Sequence, residues 1–216
     1  MNIICLYWKG NFRGRDFSPR DVDRLKRTVD KWIDRPYDFY VLTNCPTSFD
    51  GMKTISLKHN WPGWWSKVEL HRPSLIEGRT LYLDLDSHVV SNLGPILDYP
   101  GNLVMFNTRF YRVRKNEECW KIVTRYQAAV MLFDPGSTSF IYDRFLKDPE
   151  YYMLKYRSDQ DLMGEWIPKQ PTFPNKWLMK MGQLKQRRNL KETIIVTGQP
   201  KTMNFRKVDW LERIAR

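Results

Sequence analysis

Cysteine is scarce, acids are outnumbered and no long apolar run occurs, and each shortage removes a class of protein. The 3 cysteines, Cys5, Cys45 and Cys119, stand alone with no CxxC pair, so neither a disulfide framework nor a zinc site is expected. The longest apolar stretch, Ala128 to Phe133 with its neighbours, falls far short of the roughly 20 residues that a membrane-spanning helix needs. The opening Met1-Asn2-Ile3-Ile4-Cys5 lacks the charged leader and apolar core of a secretion signal and reads as a domain's first strand. The resulting expectation is a cytoplasmic protein in a reducing compartment, with no membrane span.

The shortage of acids is a shortage of 12 charges: 24 Asp and Glu face 36 Lys and Arg, for a formal charge of +12. An anionic partner follows from that field without being named by it. The excess is uneven, since residues 176–216 carry 11 basic and 3 acidic side chains. One reading is a basic nucleic-acid-binding domain without catalysis, in which Lys185-Gln186-Arg187-Arg188 meets the phosphates; another is a solvated basic face. What is abundant excludes a disordered tail, because 42% of the chain is apolar and 14% aromatic. A length of 216 residues suits one domain with one core.

The pattern along the chain is α/β. Ile3 to Tyr7 reads as a buried strand, followed by a turn through Trp8, Lys9 and Gly10. Ser18-Pro19-Arg20-Asp21 is a helix start with a capping residue, proline at the first helical position and an acid at the third; Val22, Leu25, Val29, Trp32 and Ile33 mark its apolar face. Asp38 to Thr43 is a second strand, and this strand, helix, strand order opens a nucleotide-binding sheet. Further strands are expected at 54–57, 80–86, 103–106 and 128–133, and helices at 64–76, 140–145 and 160–166. The proline-rich stretch 169–175 is expected to be irregular.

Asp84-Leu85-Asp86 is the informative feature. Two carboxylates one residue apart, where an apolar strand runs out, lie where open α/β sheets place their ligands. Side chains at i and i+2 share a strand face, so both acids can address one hard cation such as Mn²⁺ or Mg²⁺, directly or through water. The alternative is a surface turn with two solvated acids.

Trp64-Trp65-Ser66-Lys67, Leu81-Tyr82-Leu83-Asp84-Leu85-Asp86, Ser158-Asp159-Gln160-Asp161 and Gly198-Gln199-Pro200-Lys201 resemble, in that order, the motifs of GT-A glycosyltransferases, in particular the retaining, glycogenin-like group and its bacterial relatives. The likeness covers nearly the whole chain. It extends to the N-terminal domain of a larger glycosyltransferase of chlorella-infecting viruses, which implies that residues 1–216 form a single domain of a longer chain, at work in the host cytoplasm.

The resemblance implies an α/β fold, a Rossmann-like mixed sheet flanked by helices, and a metal-dependent transfer of sugar from a nucleotide-sugar donor to a glycan acceptor, with UDP-glucose and UDP-rhamnose as candidate donors and no nucleic acid. It implies that Asp84 and Asp86 hold Mn²⁺ or Mg²⁺, that Lys67 reaches toward the donor sugar or the first acid, and that Asp159 and Gln160 line the sugar, with Asp161 on the same turn. Tyr7, Trp8 and Lys9 would receive the base, with polar contacts from Thr43 and Asn44 at the end of the second strand, Leu85 and Gln127 the donor, and Gly198 and Lys201 the diphosphate.

Bland readings stand beside several of these. Lys67 is also an ordinary helix lysine, Ser158 and Asp159 are good helix caps, and Trp8 and the Trp64-Trp65 pair suit plain packing. His88, two residues after the acids, reads as a packing residue. An inverting enzyme would use a carboxylate of the Asp159 turn as general base. Many relatives of that group carry a metal-binding His near the last motif; Ile195, Val196 and Thr197 stand here instead, which leaves the third ligand open, with water as a candidate for it.

Overall fold

The computed structural model describes residues 1–12, 17–107, 126–181 and 191–198. β1 (Asn2–Tyr7) is buried along its whole length, and α1 (Pro19–Trp32) follows. The Asp21 carboxylate accepts from the Ser18 backbone N–H at 2.8 Å and from its hydroxyl at 3.0 Å, so the helix starts where its capping sequence dictates. Val22, Leu25 and Val29 are buried beneath it.

Next come β2 (Asp38–Thr43), β3 (Lys53–Ser56), a 3-10 helix Gly63–His71, β4 (Thr80–Leu83), β5 (His88–Val89), α2 (Gly94–Leu97), β6 (Leu103–Asn107) and β7 (Tyr126–Phe133). Then follow α3 (Pro135–Phe145), α4 (Pro149–Lys155), α5 (Asp159–Trp166), β8 (Thr172–Phe173), a short 3-10 turn at Asn175–Trp177, β9 (Leu178–Lys180) and β10 (Ile195–Thr197). Among the described residues no helix is long and apolar enough to cross a membrane.

Seven strands form one mixed sheet in the order β3-β2-β1-β4-β7-β6-β8. β1 to β4 are mutually parallel, and β7 runs antiparallel between β4 and β6. The chain winds outward from β1 to β3 and then returns to place β4 on β1's other side. This reversal is the topological switch point at which such sheets open a ligand crevice. Strand alternation divides the core into two layers. Leu81, Leu83 and Leu85 face α1, whereas Tyr82 faces the 3-10 helix, α3 and α5. A second sheet, β5-β10-β9, lies beside this frame.

Two expectations need correction, and one helix was not expected. The helix expected over 64–76 is a shorter 3-10 segment, which ends because Arg72 precedes Pro73 and takes an extended conformation, φ −61 and ψ 131. The stretch 169–175 is not wholly irregular: Thr172 and Phe173 pair with Met105 and Phe106, and Phe173 is buried against Tyr99 and Phe106. α4 has no buried residue, so no apolar period announced it; Asp148 starts it by accepting from the Tyr151 backbone N–H at 3.0 Å.

Packing of α3 on the 3-10 helix has the largest bearing on the acid pair, because that helix carries Lys67. Phe145 is 0% exposed and lies 4.8 Å from the Trp61 ring, 5.8 Å from Trp65 and 5.9 Å from Tyr152. Phe145→Ala is expected to lose about 3–5 kcal/mol of stability, as large-to-small changes at buried phenylalanines do. Urea denaturation of the two proteins measures this.

Candidate active site

β4 ends at the acids, and the alternation of the strand decides where they point. Asp84 shares a face with Tyr82, on the side of the 3-10 helix and α5. Its backbone N–H donates to the Ala129 carbonyl of β7 at 2.8 Å, continuing the antiparallel register that pairs Leu83 with Val130. The Ser87 N–H donates back to the Asp84 carbonyl at 2.9 Å, turning the chain after the pair.

Three elements distant in sequence then converge. The Lys67 ammonium lies 2.8 Å from Asp84 Oδ1 and 3.7 Å from Asp159 Oδ2. The first is a charge-assisted hydrogen bond and the second an ionic contact too long to be one. Tyr82 donates its hydroxyl to the same Asp84 oxygen. Asp159 is the first residue of α5, buried, with Oδ2 accepting no hydrogen bond.

Burial pushes the Asp159 carboxyl above its usual range; Lys67 opposes that shift and Asp84 adds to it. Burial and then the Asp84 charge push Asp86 up to about 6. Burial alone would lower the Lys67 ammonium, but Asp159 and Asp84 outweigh it and the net shift is upward. The centre therefore holds three carboxylates and one lysine that stays charged, an arrangement short of positive charge.

The opposite face of the turn is gripped from α1. Arg24 is buried, lies 2.5 Å from Asp21 and donates to the carbonyl of Leu85, the residue between the acids, at 2.7 Å. From the small sheet, β10 pairs antiparallel with β5 and delivers Gly198, whose N–H donates to the Asp86 carbonyl at 3.2 Å. Gly198 has φ +82, while a Cβ there would meet nothing within 4 Å. Glycine is needed at this position for its conformation rather than for space.

The remaining candidates divide. Tyr7 is buried at the end of β1, with its ring 5.9 Å from Phe49. Thr43 is buried and accepts from the Cys45 N–H at 3.0 Å. Trp8 is half-buried and Lys9 exposed at the carboxyl end of β1, beside the switch point. Gln160 and Asp161 occupy the first turn of α5, and Asp161 donates its N–H to Ser158 Oγ at 3.4 Å, so capping coexists with the proximity of Asp159 to Lys67. Gln127 is half-buried on β7 opposite Phe106, two residues before Ala129. Trp65 is buried beneath the 3-10 helix and Trp64 packs on Phe12 at 4.7 Å. His88 is buried, and Nε2 makes no hydrogen bond. Lys201, Cys119 and the cluster Lys185 to Arg188 lie outside the described residues.

Among solved structures, the chain is similar over 100% of its length to an active-site mutant of LgtC, with a TM-score of 0.69, 14% identity and 95% of that chain covered. The galactosyltransferase LgtC in complex with donor and acceptor sugar analogs gives a TM-score of 0.67 at 13% identity, with 95% of its chain covered. The chain has the GT-A fold. The glycosyltransferase GlyE of Streptococcus pneumoniae TIGR4 gives a TM-score of 0.65 at 12% identity, and the bifunctional WbbM 0.66 at 13%; 99% of this chain spans 62% of the one and 49% of the other. No protein-family model and no curated protein matches the sequence.

Several supporting residues escaped the sequence. Arg24 lies off the apolar face Val22, Leu25 and Val29, and its one signal is the i, i+3 spacing from Asp21. Tyr82 was legible only as apolar strand, though i, i+2 spacing from Asp84 puts both on one face. Glu69, which accepts from the Lys58 and His59 N–H groups at 2.6 and 2.8 Å, left no signal, because its partners belong to an irregular loop.

The raised Asp86 gives a signed prediction. An aspartate titrates near 3.9 in the unfolded chain and at about 6 in the folded one. Its contribution is therefore most favourable below pH 4 and is lost as pH rises through 6. Asp86→Asn is expected to exceed the parent's stability by about 1–3 kcal/mol at pH 7.5 with EDTA present, with the difference shrinking toward zero near pH 4. Paired denaturation curves across this range measure it.

Proposed function

We propose that the chain is a metal-dependent glycosyltransferase that moves a sugar from a UDP-sugar to a hydroxyl of a glycan acceptor, with retention of anomeric configuration. The observation that carries the proposal is the convergence of Lys67, Asp84, Asp86 and Asp159 at the switch point of a GT-A sheet. LgtC, of the same fold, holds donor and acceptor sugar analogs. Retention and the uridine base rest on the resemblance to the glycogenin-like group.

The donor set suits a hard divalent cation. Lys67 and Tyr82 both address Asp84 Oδ1, and Asp86 is an acid whose anion is disfavoured by burial and by Asp84 until positive charge arrives. Among the described residues no group of three His, Cys, Asp or Glu side chains is placed to hold a metal, so Asp84 and Asp86 would hold Mn²⁺ or Mg²⁺, with water and diphosphate oxygens as the other ligands. Bound there, the ion would neutralise charge developing on the departing diphosphate.

The protein's own part is orientation and electrostatics. Lys67 holds Asp84 in place while its charge opposes the upward shift that burial imposes on the Asp159 carboxyl. The unbonded Asp159 oxygen suits a sugar hydroxyl donor. Gln160, next in the chain, would lie along the same sugar, and Gly198 lets the chain after β10 close near Asp86. A carboxylate near an oxocarbenium-like sugar stabilises the charge that appears there as the bond to the diphosphate breaks.

Isothermal titration of UDP with Mn²⁺ is expected to show binding in the parent and none in Asp84→Ala or Asp86→Ala; parent-like affinity in those variants overturns the metal assignment. Lys67→Met is expected to retain UDP binding and to lose about 10²-fold in kcat, the cost of one preorganised charge. NMR of the transferred anomeric centre tests retention. Free sugar released at full rate without an acceptor would mark a hydrolase instead.

A further inference from the structure

The loops after β1, β2 and β3 meet at the carboxyl edge of the sheet and are tied by side-chain amides. Asn44 Oδ1 accepts from the Lys9 N–H at 2.9 Å while Asn44 Nδ2 donates to the Lys9 carbonyl at 2.7 Å. One amide therefore pairs with both groups of one residue. Asn60 Oδ1 accepts from Asn44 Nδ2 at 2.9 Å and from the Trp8 indole N–H at 2.9 Å. Asn60 itself stands at φ +53, a conformation that non-glycine residues adopt sparingly. The Trp8 ring lies over Gly10, where an added Cβ would come within 2.3 Å of it.

These four bonds are solvent-exposed, so they add little to global stability. What they fix is local: the plane of the Trp8 indole and the Lys9 peptide, at the end of the strand beside the switch point. Backbone strain kept at such a place, with little return in stability, points to a role in binding.

We propose that Asn44 and Asn60 are positioning residues for the nucleoside base, holding the Trp8–Lys9 turn in its base-receiving shape before the ligand arrives. This rests on the nucleotide-sugar reading of the site and deepens it. Preorganisation acts by removing the cost of ordering the loop from the binding step, so its effect falls on the base end of the ligand and not on the diphosphate end.

The test compares uridine with UDP plus Mn²⁺, by ligand-observed NMR and calorimetry, on the full chain. Asn44→Ala and Asn60→Gly are expected to weaken both ligands by the same factor, about tenfold, with thermal midpoints close to the parent's. Glycine adopts the positive φ freely, so Asn60→Gly removes the side chain without adding strain. Asn60→Asp keeps the accepting oxygen for Trp8 and Asn44 and is expected to bind like the parent. Unchanged affinity in Asn44→Ala and Asn60→Gly, a loss confined to UDP, or an Asn60→Asp variant as weak as Asn60→Gly overturns the inference. A parent that binds neither uridine nor UDP overturns the nucleotide-sugar reading instead, and this inference with it.

Discussion

Everything at the carboxyl edge of the sheet depends on Lys67 standing between Asp84 and Asp159, 2.8 Å from one and 3.7 Å from the other. Unit charges about 4 Å apart interact by about 4 kcal/mol at the effective dielectric of a protein's outer layers. One ammonium thus offsets much of the repulsion between two carboxylates that face the same space, but Asp86 remains as a third. Removing one partner from such a cluster leaves an uncompensated buried charge, which costs more than the intact pair ever contributed. The centre stays under electrostatic tension, and a cation or the hydroxyls of a sugar would relieve it.

The rest of the fold can be understood as the means of keeping that tension in place. The sheet's alternation sends Asp84 to the face of the 3-10 helix and Leu85 to the face of α1, so the acid turn is held on both sides. Lys67 and Tyr82 grip the first carboxylate, and Arg24 grips the carbonyl between the acids. The small sheet adds a third hold through Gly198. Aromatic packing around Phe145 seats the 3-10 helix, because a lysine aimed at two acids needs a backbone that does not drift.

How far the sequence could be read follows from the range of each interaction. β1, α1 and β2 were legible because their signals are local: a run of buried residues, a Ser-Pro-x-Asp start and an apolar face at helical spacing. The shortened helix after Gly63 was misjudged, although Pro73 could have warned of its end. α4 was hidden because none of its side chains is buried. β9 and β10 were hidden because short strands gain their identity only from a partner: β9 from β10, and β10 also from β5 across more than a hundred residues. Of the site, Asp84, Asp86, Lys67 and Asp159 were legible as a motif order, whereas nothing local marks the hold of Arg24 on the Leu85 carbonyl or of Asn60 on Trp8 and Asn44.

By itself the sequence determined the chemistry available: two acids at the end of an apolar strand, a lysine ahead of them, an aspartate at a helix start and a late glycine, set in a basic α/β domain. Only the tertiary structure decided which of these meet. Local pattern fixes the face of a strand and the start of a helix, since both depend on backbone geometry over a few residues. The distance from Lys67 to Asp159, the hold of Arg24 on Leu85 and the tie between Asn44 and Lys9 depend on how whole elements pack. That packing is set by the summed burial of both core layers, and no short stretch of chain encodes it.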